Sequence, residues 1–220
     1  EWGDLVETTD LLFTGIEPTG EYTQAGVKAM ERAEDEEILA SFFRTAITGE
    51  AGDTTEAWVD SGYIVDKDSG GANSGLTHKK LRSLRALFQK YYVDLDMETL
   101  WMIITEEEVT DLFGDNVTIS IDFVENKPVS TGKLPPLYGF NFIPFSSQTI
   151  DAMDGFKTGS VRTLPVWVQS GMHLGMWKER STTVAPDPSF KFKPRIYMDG
   201  FYGASRMEKG RVLKCEAYHT

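Results

Sequence analysis

From Glu21 to Ile47 the chain reads EYTQAGVKAMERAEDEEILASFFRTAI, with one glycine and no proline. Ala, Glu, Met, Leu and Arg dominate it, and all are good helix formers. Apolar residues recur at Tyr22, Ala25, Ala29 and Ala33, then at Leu39, Phe43 and Ile47, with Ile38, Phe42 and Ala46 beside them. These i, i+3 and i+4 steps are the apolar stripe of an amphipathic helix. Thr48-Gly49 supplies a stop, because glycine accepts the left-handed conformation past a helix end. Such a helix is roughly 40 Å long and closes on aromatic residues. It predicts a spine across which other elements lie. The plain alternative, a long surface helix, carries no functional information.

The segment that holds the spine also holds the charge. Residues 1–60 contain 15 acidic and 3 basic side chains, a net of −12, which is the charge of the entire 220-residue chain. The remainder is therefore neutral overall. An acidic chain is poorly suited to gripping nucleic acid, which needs clustered Lys and Arg against phosphates. The single cysteine, Cys215, excludes an intrachain disulfide and a multi-cysteine zinc site. No apolar run reaches the roughly 20 residues of a membrane helix. The chain opens at Glu1 inside what reads as folded sequence, so an upstream segment is expected.

Six glycines between Gly49 and Gly75 predict loop, with short strands at Trp58-Val59 and Tyr63–Val65. A second helix is expected over 76–91, capped by Thr77 and buried through Leu81, Leu84, Phe88 and Tyr91. It carries Lys79, Lys80, Arg82, Arg85 and Lys90 with no acid. That is either a solvated face or a surface for an acidic neighbour. Leu100–Ile104 reads as a central strand, and Thr105-Glu106-Glu107-Glu108 as a capping box opening a short helix. Strands are expected at 138–146 and at 161–168, the second an edge or kink because of Pro165. Residues 181–188 read as a linker. Strands follow at 190–197, 201–207 and 211–218, with Glu208-Lys209-Gly210 as a hairpin turn.

Catalytic chemistry finds little footing. Gly70 to Gly75 has the glycine spacing of a phosphate-binding loop before a helix, but Leu76 stands where the phosphate-contacting lysine belongs. His78, His173 and His219 stand singly, and no G-x-S-x-G elbow occurs. His78 reads as polar-facing, His173 as packed, His219 as part of a frayed terminus, and Cys215 as a small packing residue.

The ordered set of motifs resembles the major capsid proteins of tailed bacteriophages, the Hong Kong 97-type coat family. The resemblance begins with EWGDLVETTD and the spine phrase MERAEDEEILASFFRTAITGEAG. It continues through Gly75-Leu76-Thr77, Lys80-Leu81, Met102–Thr105, Leu137–Phe140 and Val166–Gly171. It closes with Tyr202-Gly203-Ala204-Ser205-Arg206 and a final strand over 211–216, the most specific piece.

The resemblance implies an α+β fold with a long spine helix, a peripheral β-sheet domain and a central axial α/β domain. Residues 1–20 would end an N-terminal arm or extended loop, and 21–62 would hold the spine in the peripheral domain. Residues 63–187 would form the axial domain, and 188–220 the closing strands of the peripheral domain. It further implies a coat protein without cofactor, metal site or membrane contact, assembling in the host cytoplasm into hexamers and pentamers of a virion shell. That shell would enclose double-stranded DNA, and portal, scaffolding or decoration proteins are possible companions. Subunit contacts are expected at Trp2, Phe13, Glu34, Asp35, Lys79, Lys80, Arg82 and Arg85, with acidic spine meeting basic helix. An encapsulin-like nanocompartment shell and an unrelated acidic α+β enzyme or binding domain are the competing readings.

Overall fold

The computed structural model describes residues 1–6, 19–69, 71–114 and 134–219. The spine is helix α1, Thr19–Phe43. It stops four residues short of Ile47, because Ala46–Thr48 forms strand β2 in an antiparallel hairpin with β3, Thr54–Glu56. Gly49, at φ +90°, sits in that hairpin's turn rather than at a helix end. In the first half of α1 the buried stripe is rotated from the expected one, and in the second half Leu39 and Phe42 are buried as expected. Ala25 and Ala33 are exposed, whereas Gly26 and Met30 are buried.

The chain divides into two units, 1–39 with 174–204, and 40–173 with 205–220. In the first unit, β1 (Trp2–Leu5) pairs antiparallel with β10 (Lys193–Arg206), and β9 (Met172–Asp187) lies on the other side of β10. Val6, Met30, Ile196 and Met198 form its core, with Trp2, Tyr22 and Val27 packed against it. Gly26 is required there: a Cβ would lie 2.6 Å from the Trp2 ring. Of residues 181–188, expected as a linker, 181–187 are the outer half of strand β9 and Pro188 opens a short 3-10 turn.

The second unit is built on a sheet in the order β4 (Ile64–Val65), β11 (Val212–Tyr218), β8 (Val161–Val168), β5 (Leu100–Ile104), β6 (Phe140–Pro144). The short β7, Lys157–Thr158, adds to β8. Strand β5 is central, between β8 and β6, as its unbroken apolar run predicts. Strand β8 is interior rather than an edge. Its ladder with β5 ends at Val166 and that with β7 starts at Arg162, so Pro165 falls in the gap between them.

Helix α2 (His78–Lys90) is capped by the Thr77 side chain and sets Leu81, Leu84 and Phe88 into a core with Val65, Leu213 and Cys215. Helices α3 (Glu106–Gly114) and α4 (Ser147–Ala152) also belong to this unit. The Thr105 capping box forms through Glu108, which accepts the Thr105 N–H at 2.7 Å.

Residues 205–220 group with 40–173, because β11 pairs along its whole length with β8 and, through Lys214 and Cys215, with β4. Glu208-Lys209-Gly210 is consequently not a hairpin turn, since it joins strands of two different sheets. Residues 174–187 fall in one compact unit with residues 1–39. Ile196 meets Met30, and Val212 and Leu213 sit in the other sheet.

Burial separates two adjacent aromatics at the end of α1. Phe42 is 1% exposed and lies 4.8 Å from the Trp167 ring, whereas Phe43 is only partly buried, against Trp58 and Phe156. Phe42→Ala is expected to destabilise the chain by about 3–5 kcal/mol, and Phe43→Ala by less. Urea titration of both variants checks the ranking.

Candidate assembly surface

Helix α1 has no basic residue in its last turn, so its terminal carbonyls need donors from elsewhere. Arg206, 3% exposed, supplies them. Its Nη1 donates to Phe42 O at 2.8 Å and to Arg44 O at 3.2 Å, and its Nη2 to Glu56 O at 3.3 Å. The guanidinium lies 5.0 Å from the Trp58 ring centroid. Burial pushes its pKa down, with Glu56 opposing. Around it, Lys209 pairs with Glu56 at 2.7 Å, and Lys214 reaches Asp60 at 2.7 Å over the Phe43 ring. The Tyr202–Arg206 phrase thus ends in the cap of the spine helix.

A second polar network lies at the N-terminus of α3. Arg162, 2% exposed, bonds Asp151 at 2.8 Å, Glu107 at 2.7 Å and Glu108 at 3.0 Å. Burial opposes the charge, but these carboxylates raise the guanidinium pKa above its usual value. Glu108 is fully buried, and burial alone would raise its pKa. Hydrogen bonds from His219 and Thr105 outweigh that and lower it from 4.5 to about 2. His219 is therefore no frayed terminus: its Nε2 lies 2.6 Å from Glu108 Oε1.

The glycine loop before α2 is occupied by the protein itself. Leu76 N–H donates to the Asp111 carboxylate at 3.1 Å, and a Cβ on Gly75 would lie 1.8 Å from that carboxylate. An acid seated at the loop amide is the wrong charge for a phosphate cradle. His78 is buried edge-on to Tyr138 rather than polar-facing, and His173 is exposed rather than packed. Cys215 is fully buried, its thiol pushed up to about 12 by that burial. Among the described residues no group of His, Cys, Asp or Glu could hold a metal ion, and no helix is long and apolar enough to cross a membrane.

The expected contact residues separate into used and unused. Lys80 is 0% exposed and donates to Ser74 O and Glu216 O, both at 2.7 Å. It stitches the loop before α2 to β11 and cannot face a neighbour, which corrects its assignment as a surface contact. Trp2 is spent largely within its own unit, over Gly26. Arg85 is half-buried and donates to Tyr138 O at 2.6 Å. Glu34 faces Arg180 at 4.0 Å, beside a Glu31–Arg180 pair at 3.3 Å. Lys79, Arg82 and Asp35 are exposed. Phe13 lies outside the described residues.

The residues that sequence reasoning missed are apolar. Met176, Trp177, Val184, Phe190, Phe192 and Phe201 are all exposed, by 48% to 79%, and all lie on β9, β10 or the turn between them. Trp177 rests over Gly175 and Gly203, which leave room for its ring. Strands were expected over 190–197 and 201–207, which hold Phe190, Phe192 and Phe201, but Val184 fell in an expected linker, and which face lacked a cover was not legible.

A family model of phage capsid proteins matches residues 1–217. The chain belongs to the phage capsid protein family. This capsid protein has the Hong Kong 97-type fold of tailed-phage coats. It is similar to a chain of Mycobacterium phage Che8, with 16% identity and a TM-score of 0.65 over 97% of this chain and 68% of that one. It is also similar to the capsid of Cyanophage P-SCSP1u, with 11% identity and a TM-score of 0.70 over 100% and 72%. The holo-SrpI encapsulin complex of Synechococcus elongatus matches less well, with 11% identity and a TM-score of 0.53 over 99% and 74%. No curated relative matches at the level of sequence.

Two consequences of the buried polar groups are measurable in this capsid protein. Arg206→Lys keeps the charge but loses the planar fork, and is expected to cost about 2 kcal/mol in chemical denaturation. Glu108 is depressed in the fold, so its contribution is complete above its ordinary pKa of 4.5 and is lost as pH falls toward about 2. The thermal midpoint of the native chain should fall across that window. Glu108→Gln should be less stable by about 3 kcal/mol at neutral pH and show a shallower acid limb.

Proposed function

We propose that copies of this capsid protein tile an icosahedral shell of hexamers and pentamers around double-stranded DNA. The family match over residues 1–217 carries this reading. The exposed apolar side chains of the β9–β10 hairpin support it, since patches of that kind on a soluble chain are normally covered by a partner. The unit of 1–39 and 174–204 is then the peripheral domain, and the unit of 40–173 and 205–220 the axial domain. The acidic content of 1–60 suits a wall that encloses DNA without gripping it. Assembly takes place in the host cytoplasm, with portal, scaffolding or decoration proteins as further partners and Phe13 as an arm contact. The role is structural. We assign it no catalysis, and specifically no ATP hydrolysis, with Asp111 at the Leu76 amide as the supporting observation.

Lys79 and Arg82, with Arg85 beside them, form the surface of α2 that meets an acidic neighbour in this reading. Exposed pairs contribute only about 0–1 kcal/mol each, so they set register more than strength.

Electron microscopy of the purified protein tests the proposal. Closed shells holding nuclease-protected DNA are expected. A chain that stays monomeric defeats both shell readings, and shells that hold protein cargo without DNA favour the nanocompartment. Reversing the exposed Lys79 and Arg82 to glutamate should impair assembly with the monomer still folded, and added salt should partly relieve the defect. Normal assembly of that variant would leave α2 as a solvated face.

A further inference from the structure

The β9–β10 hairpin ends in a tip held by its own contacts. Asp187 accepts from Ser189 N–H at 2.9 Å and from Arg195 at 3.3 Å, and Phe192 N–H donates to Asp187 O at 2.9 Å. The turn sets Lys191 at φ 56° and Phe192 at φ 58°, a region that bulky side chains seldom enter. Phe190 is 54% and Phe192 70% exposed. Lys191 is exposed too, and the nearby Asp187 carboxylate is engaged by Arg195. The tip therefore presents two aromatic rings and a cation to solvent.

The same unit carries the complement. Glu34, Asp35, Glu36 and Glu37 follow one another on α1, and Arg180 answers Glu31 and Glu34. Asp35 and Glu36 remain exposed. Partial desolvation and then Glu31 raise the Asp35 pKa. Burial, followed by Glu34, Glu37 and Glu36, raises that of the Tyr202 phenol. Negative potential is crowded there. Tyr202 marks where this stretch meets β10, and Phe192 stands ten positions before it, roughly 33 Å away at strand spacing. A tip cannot reach the acidic stretch of its own chain.

We propose that the tip of one copy, through Phe190, Lys191 and Phe192, docks on the Glu34–Glu37 stretch of α1 in a second copy. Tip-to-tip contact would bring Lys191 side chains together, whereas this contact joins cation to carboxylate and covers the rings against the helix. The inference rests on the shell reading and names one contact within it.

A charge-swap cycle tests it, with the assembly threshold of the full chain read by light scattering and folding checked by circular dichroism below that threshold. Lys191→Glu and Glu36→Lys should each raise the threshold by roughly tenfold, because one lost pair recurs at every copy in the lattice. Asp35→Lys serves in place of the helix variant should Glu36→Lys not fold. The double variant K191E/E36K should return to within about threefold of the native threshold, since the swapped pair reforms between copies. Single variants that assemble like the native chain overturn the contact. So does a double variant no better than the worse single. A native chain that never assembles overturns the shell reading and this contact with it.

Discussion

The C-terminus of the spine helix depends on one buried arginine. A helix that ends without a basic residue in its last turn leaves carbonyls that must find donors. Arg206 meets the Phe42 carbonyl and those of Arg44 and Glu56, so one planar group fixes the helix end, the chain leaving it and strand β3. Its five donors in a rigid fork suit this better than an ammonium would. Phe42 and Trp167 pack at the same place, and Lys214 lies over Phe43 and Trp58. Apolar packing and charge-assisted bonding reinforce each other there, which favours a single geometry.

Buried charge is handled in two ways at three sites. Arg162 is balanced by carboxylates, with Glu108 fully buried beside it. Lys80 is satisfied by backbone carbonyls, and burial lowers its pKa. Arg206 is likewise satisfied by carbonyls and an aromatic face. Such groups contribute little net stability compared with apolar replacements, but losing one partner leaves a costly orphan. Lys80 and Glu108 tie β11 and the residue after it to other elements, which makes the chain's last residues part of the core architecture.

Several elements could be read directly. The existence of α1 and α2, the Thr77 cap, the central position of β5 and the burial of Cys215 follow from local propensity and apolar periodicity, which short-range physics governs. The ordered motifs were enough to place the chain in the coat family. What they could not place was partnership. Lys80 looked like one more cation on a basic helix, yet the loop before α2 and β11 enclose it. Gly26 looked neutral, yet Trp2 requires it. Alternation predicted strands on both sides of Glu208-Lys209-Gly210 but not that they enter different sheets.

Residue by residue, then, the sequence by itself determined which segments are helical, which are strand-forming, where the negative charge accumulates and which family the chain joins. Tertiary structure decided which cations are spent inside the fold, where residues 205–220 belong and which aromatic side chains remain uncovered. The physical reason is range. Propensity, capping and periodicity act within a few residues, whereas Arg206 with Phe42, Lys80 with Glu216 and Glu108 with His219 are joined across more than a hundred. Pairings of that separation are selected by burial and hydrogen-bond satisfaction in the finished fold, and no local pattern encodes them.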